Sequence, residues 1–84
     1  MRYGKYNPLE RYAKIVGQIC RDARQRQKLP LSHVSKAVGI DTSMISRFER
    51  GECQSFWLLF YYVVFLGANI DCIYNTDYYE MESE

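Results

Sequence analysis

The stretch VSKAVGIDTSMISRFERG, residues 34–51, sets one internal glycine between two short segments of different character. Val34 and Val38 lie four apart before it. After it, Ile40, Ile45 and Phe48 are the core-type positions, while Thr42, Ser43, Met44, Ser46 and Arg47 crowd another side. Steps of three and four place side chains on one face of a helix. Gly39 accepts positive φ and so closes the first short helix. Asp41 or Thr42 then caps a further helix through about Arg50, and Gly51 ends it. What remains is a short helix whose Thr, Ser and Arg side chains face nothing inside the segment.

The flanks supply the body for this pair. Asn7-Pro8-Leu9-Glu10 reads as a helix start, with Asn7 as cap, Pro8 in the first turn and Glu10 as the capping-box carboxylate. Leu9, Tyr12, Ala13, Val16, Ile19, Cys20 and Ala23 recur at helical spacing and predict a buried face. Gly17 interrupts that helix at a cost of about 1 kcal/mol relative to Ala. Lys14, Arg21, Arg24, Gln25 and Lys28 occupy the opposite face, and the helix ends before Leu29-Pro30, because a residue ahead of proline avoids helical dihedrals. Pro30 opens the next helix, Leu31 to Val38. Ser55 caps an apolar run that continues to Ala68, too short for the roughly 20 residues a bilayer span requires. A core helix is expected there. The reading is all-α in three parts: an arm and helix extension (1–15), a main domain (16–71) and an acidic, Tyr-rich tail (72–84).

Charge narrows the partners. Residues 1–50 hold all 11 Lys and Arg against four acids, a net +7; residues 51–84 hold six acids and no base. A basic half attracts phosphates, although segregated solvated faces give the same count. Cys20, Cys53 and Cys72 are odd in number and irregularly spaced, and His33 stands far from each. Neither a disulfide framework nor a metal site is expected, no cofactor is implied, and a reducing cytoplasm is the simpler location. The first residues lack the apolar run of a secretory leader. No nucleophile–base or paired-carboxylate set accompanies His33, so an enzyme is not expected. A membrane role is not expected either, because the basic residues and the aromatic run occupy different segments.

The twenty-residue window Leu31–Arg50 resembles the helix-turn-helix of the lambdoid-repressor and Cro type of regulators, the Xre family. Such a window wants a small residue at its fifth place and glycine at its ninth, here Ser35 and Gly39. Its apolar places fall on Val34, Val38, Ile40, Ile45 and Phe48. Val16-Gly17, Cys20 and Ala23-Arg24 look like the family's first helix, and Ser55 to Gly67 like its last two, although the stretch after Gly51 is one residue shorter than usual. The resemblance implies a five-helix domain over about residues 16–71 and an ion pair between Arg24 and Glu49.

It further implies that the helix from residue 42 enters the DNA major groove, with Thr42, Ser43, Met44, Ser46 and Arg47 reading bases and Arg47 suited to guanine O6 and N7. Lys28, Ser32, Lys36 and Arg50 are candidate phosphate partners. The chain departs from the family at Leu31, where glutamine often clasps a phosphate, and at Glu52-Cys53-Gln54, which lacks the usual basic residues. Leu59, Phe60 and Val63 fit inward family positions, whereas Trp57, Tyr61 and Val64 fall where relatives are polar. Two readings stand for that surface: a homodimer contact, or cover by residues 1–15 of the same chain. The tail could be disordered, add a strand at a dimer contact through Cys72, Tyr74 and Thr76, hold a protein partner, or set its acids in competition with DNA for the basic half. The implied function is a cytoplasmic, dimeric, sequence-specific transcription regulator, a repressor acting on an inverted repeat. The alternative is an antitoxin-like or antirepressor-like module that works through protein contacts.

Overall fold

The computed structural model describes residues 8–71 of the chain. Within them lie four helices and no strand: α1 (Pro8–Arg26), α2 (Leu31–Val38), α3 (Thr42–Glu49) and α4 (Phe56–Phe65). All-α is therefore the architecture of the described residues. Five helices were expected and four are found, because the apolar run after Ser55 forms one helix and the chain leaves helical geometry at Leu66. The Asn7 cap, the arm before it and the tail, with its candidate strand at Cys72, Tyr74 and Thr76, lie outside the described residues.

Local chemistry sets each helix boundary. The Asp41 carboxylate accepts the Ser43 N–H at 3.1 Å, so Asp41 caps α3. Ser55 Oγ accepts the Leu58 N–H at 3.1 Å and starts α4. Each satisfies one of the four N–H groups that a helix start leaves without a partner. Gly39 closes α2 at φ 75°, ψ 26°, and its N–H returns to the Ser35 carbonyl at 2.8 Å. A Cβ at Gly39 would meet nothing within 4 Å. Backbone conformation, not space, is what requires glycine there.

The end of α1 uses a less obvious residue. Lys28 takes φ 59°, its N–H bonds the Gln25 carbonyl at 2.9 Å, and the Leu29 N–H bonds the Arg24 carbonyl at 3.2 Å. This is a Schellman closure with lysine in the place usually held by glycine. Lys28 is thus outside the helix, which ends at Arg26.

Cys20 and Ala23 of α1, Val34 of α2, Ile45 and Phe48 of α3, and Leu58 and Tyr62 of α4 meet in one core, with Leu66 and Ala68 closing its end. Each fully buried aliphatic contributes about 1.5–3 kcal/mol. The Gln27 amide donates to the Leu66 carbonyl at 2.6 Å, tying the end of α4 to that of α1, and the Ala68 N–H closes α4 on the Tyr62 carbonyl at 2.9 Å. Two expectations for buried faces are corrected. Leu9 is 64% exposed, whereas Ile15, absent from the expected face, is buried. In α4 the inward residues are Leu58, Tyr62 and Leu66; Leu59 and Val63 are only half-buried and Phe60 is exposed. Leu58 and Tyr62 lie four apart and so share one side of the helix, while Leu59 and Val63 lie about 100° further round.

Gly17, which costs α1 helix propensity, allows α1 to lie against the backbone of α3. A Cβ there would stand 2.5 Å from the Glu49 carbonyl oxygen and 2.6 Å from that of Phe48. Gly17→Ala should therefore destabilise by about 1–3 kcal/mol, against its favourable propensity. Lys28→Gly should stabilise by about 1 kcal/mol by relieving the left-handed lysine. Urea denaturation of both variants checks the opposite signs.

Candidate nucleic-acid interface

The candidate surface is carried by α3. Its inward side is Ile45, Phe48 and Glu49, all buried. Glu49 is a carboxylate in the core, 5% exposed, and it is fully engaged. Arg24 of α1 grips it with two parallel hydrogen bonds, Nε to Oε2 at 2.8 Å and Nη2 to Oε1 at 2.9 Å. Its remaining arm, Nη1, donates to the Leu29 carbonyl at 2.8 Å, just ahead of α2. The Tyr62 hydroxyl of α4 donates to the same carboxylate oxygen, and the Tyr62 ring stacks on Phe48 at 5.8 Å. The expected Arg24–Glu49 pair is present, with an Arg24 side chain only 11% exposed, although Arg24 was also counted on the solvent face of α1.

This network sets its own protonation states. Hydrogen bonding to Glu49 raises the Arg24 pKa above its ordinary value against the effect of burial. Burial, then the hydrogen bond to Glu49, drives the Tyr62 hydroxyl far above its usual range, so it stays a donor. Burial, helped by the Glu49 charge, pushes the Cys20 thiol up to about 12, which leaves it an inert packing group.

The outward side of α3 is less uniform than expected. Thr42, Ser43 and Arg47 are exposed, and the Arg47 guanidinium makes no hydrogen bond among the described residues. Ser43 donates both its N–H and its hydroxyl to Asp41, which holds the Asp41 carboxyl below its usual range. Met44 is 40% exposed and leans on Cys53, whose sulfur stands 3.4 Å from the Met44 sulfur and 3.6 Å from its carbonyl. Ser46 is half-buried, its hydroxyl accepts Arg50 Nη1 at 2.5 Å, and it borders a hollow with Arg21 and Arg24 of α1.

The candidate phosphate partners divide in the same way. Lys28, Ser32 and Lys36 are exposed. Arg50 is exposed but already occupied: Glu52 receives its Nε at 3.1 Å and Nη2 at 3.2 Å, so its charge is locally neutralised. Sequence reasoning missed Arg21. It lines a polar hollow of about 190 Å³ with Arg24, Leu31, Ser46, Glu49 and Arg50. Its spacing of three from Arg24 on one helix was the available signal. The hollow lies beside the start of α2, where Pro30 supplies no side-chain cap. No cluster of three or more His, Cys, Asp or Glu suited to a metal occurs among the described residues, and no helix there is long and apolar enough to cross a membrane.

Compared with known proteins, the chain matches no family model, no curated protein and no solved structure.

Removing Arg24 would leave a buried carboxylate unpaired. Arg24→Met should destabilise by about 3–5 kcal/mol. Tyr62→Phe, which removes one bond to a charged acceptor, should cost about 1.5–3 kcal/mol. Chemical denaturation of the two variants tests this order; equal costs would remove Arg24 as the main partner. The Asp41 cap carries a pH signature. Because its folded pKa is depressed, its contribution is complete above the ordinary carboxylate range and is lost as pH falls through the lower, folded value. The protection of the Ser43 amide, relative to an unstructured amide at the same pH, should fall over that window in the wild type and show no such step in Asp41→Asn.

Proposed function

We propose that this chain is a sequence-specific DNA-binding regulator of transcription, a non-enzymatic cytoplasmic repressor of the lambdoid-repressor and Cro type. In this reading α2, Gly39 and α3 form a helix-turn-helix whose second helix enters the major groove N-terminus first. An α-helix with its side chains is about 10–12 Å across, which fits a groove about 12 Å wide. The observation that carries the reading is the contrast between the two sides of α3. One side is locked to three other parts of the fold through Glu49, while Thr42, Ser43 and Arg47 face outward, with no hydrogen bond from the Arg47 guanidinium among the described residues.

A rigid mount and a free guanidinium suit direct readout. Arg47 pairs with guanine O6 and N7, Ser43 offers its remaining lone pairs, and Thr42 lies at the groove edge. Met44 presents its exposed part to a thymine methyl. Ser46 acts indirectly, by holding Arg50 beside the polar hollow. Arg21 and the first-turn N–H groups of α2 receive a backbone phosphate there, since helix starts favour anions. Lys28, Ser32 and Lys36 add diffuse or direct phosphate contacts along the same basic half. Glu52 limits what Arg50 gives to phosphate.

Selection of bound duplexes from a random pool tests the proposal, with the expected result a defined sequence whose binding weakens as salt rises. Arg47→Ala should then lose about 1–3 kcal/mol and relax preference at one base position. A pool that stays random at low ionic strength contradicts the function; an unchanged preference in Arg47→Ala removes Arg47 from the reading face.

A further inference from the structure

We infer that Cys53 is a positioning residue for the reading face: its thiol fixes the Met44 side chain so that Met44 selects one thymine C5-methyl group in the groove. The inference rests on the DNA-binding reading of α3 and adds a determinant of specificity that lies outside that helix. Met44 sits in the first turn of α3 and is 40% exposed. Its side chain is unbranched, with three rotatable bonds. Left in water, such a side chain samples many rotamers and offers no single shape to a base. Met44 is restrained on one side. The Cys53 sulfur stands 3.4 Å from the Met44 sulfur and 3.6 Å from the Met44 carbonyl oxygen.

The thiol is the fixed member of this pair. α3 ends in a Schellman closure, in which the Gly51 N–H returns to the Phe48 carbonyl at 3.0 Å and the Glu52 N–H to the Arg47 carbonyl at 2.8 Å. Arg50 then holds the Glu52 carboxylate through two hydrogen bonds, at 3.1 and 3.2 Å. On the far side, Ser55 is committed to capping α4. Only Cys53 and Gln54 lie between these anchors. Cys53 therefore meets Met44, nine residues earlier, from a backbone tethered at both ends. A cysteine side chain places its sulfur by one rotation, so the thiol directs the longer thioether and not the reverse.

The tip of Met44 is a sulfur and a methyl group, with no hydrogen-bond donor. The groove feature that suits it is the C5-methyl of thymine, which polar side chains such as Ser43 and Arg47 do not read by hydrogen bonding. Ordering Met44 before the duplex arrives lowers the entropy lost on contact and sharpens the preference for that methyl.

Uracil differs from thymine by this methyl alone, so replacing each thymine of a selected duplex in turn by uracil isolates the contact. The full chain should bind the thymine form on the order of fourfold more tightly at one position. Met44→Ala should remove that preference. Cys53→Ala should reduce it by at least about half at unchanged helical circular dichroism, and should change nothing further when added to Met44→Ala. In the DNA-free protein, methyl relaxation should report an ordered Met44 in the wild type and a mobile one in Cys53→Ala. A Met44 methyl whose mobility ignores the Cys53 sulfur overturns the inference and leaves the DNA-binding reading standing. So does a uracil series with no position that distinguishes Met44→Ala from the wild type. A Cys53→Ala loss of affinity that persists in the Met44→Ala background also overturns it, because Cys53 would then act only through packing of the loop. Selection that yields no duplex removes the reading and the inference together.

Discussion

A single buried carboxylate organises this fold. Glu49 belongs to α3, but its two oxygens are held by Arg24 from α1 and Tyr62 from α4, and Arg24 extends the grip to the backbone ahead of α2. An ion placed in a core costs several kcal/mol in lost hydration and is tolerated only when it is paired and hydrogen-bonded throughout. The benefit here is orientation more than net stability. Apolar packing alone would let α3 rotate or slide by fractions of a turn. A bidentate guanidinium with a phenol on the same carboxylate permits one arrangement.

Backbone contact reinforces the same geometry. Gly17 lets α1 approach the carbonyls of Phe48 and Glu49, the turn that carries the carboxylate. The same α1 segment therefore sets both the distance to α3 and, seven residues on, its ion pair. The uncommitted face of α3 gains its fixed direction from contacts on the opposite side. Around it, the Arg47 guanidinium makes no hydrogen bond among the described residues but lies within the field of Glu52, Arg50 is paired with Glu52, and Arg21 borders the hollow between α1, α2 and α3.

Much of this was legible in the sequence wherever the determinant was local. Caps at Asp41 and Ser55 and the turn at Gly39 follow from side chains acting on their own neighbours. Arg24–Glu49 spans 25 residues and could be anticipated only through resemblance to a family, not from spacing. Tyr62 was hidden because the face of α4 depends on helical phase, and the inward set is Leu58 and Tyr62 instead of Leu59 and Val63. A helix apolar on all sides carries little periodic signal to correct such a shift. The Cys53–Met44 contact was hidden for another reason: it depends on how the loop after α3 returns, which no periodicity encodes.

The central claim is that the locked side of α3 exists to present its free side to a duplex. Titration of isotope-labelled protein with a duplex retained by selection, followed by backbone amide chemical shifts, tests it most directly. The account predicts shifts concentrated at Asp41 to Arg47 and at the first turn of α2, with the Arg24–Glu49 neighbourhood nearly still. Perturbations that bypass α3, or that require Glu49 to leave its partners, would contradict it.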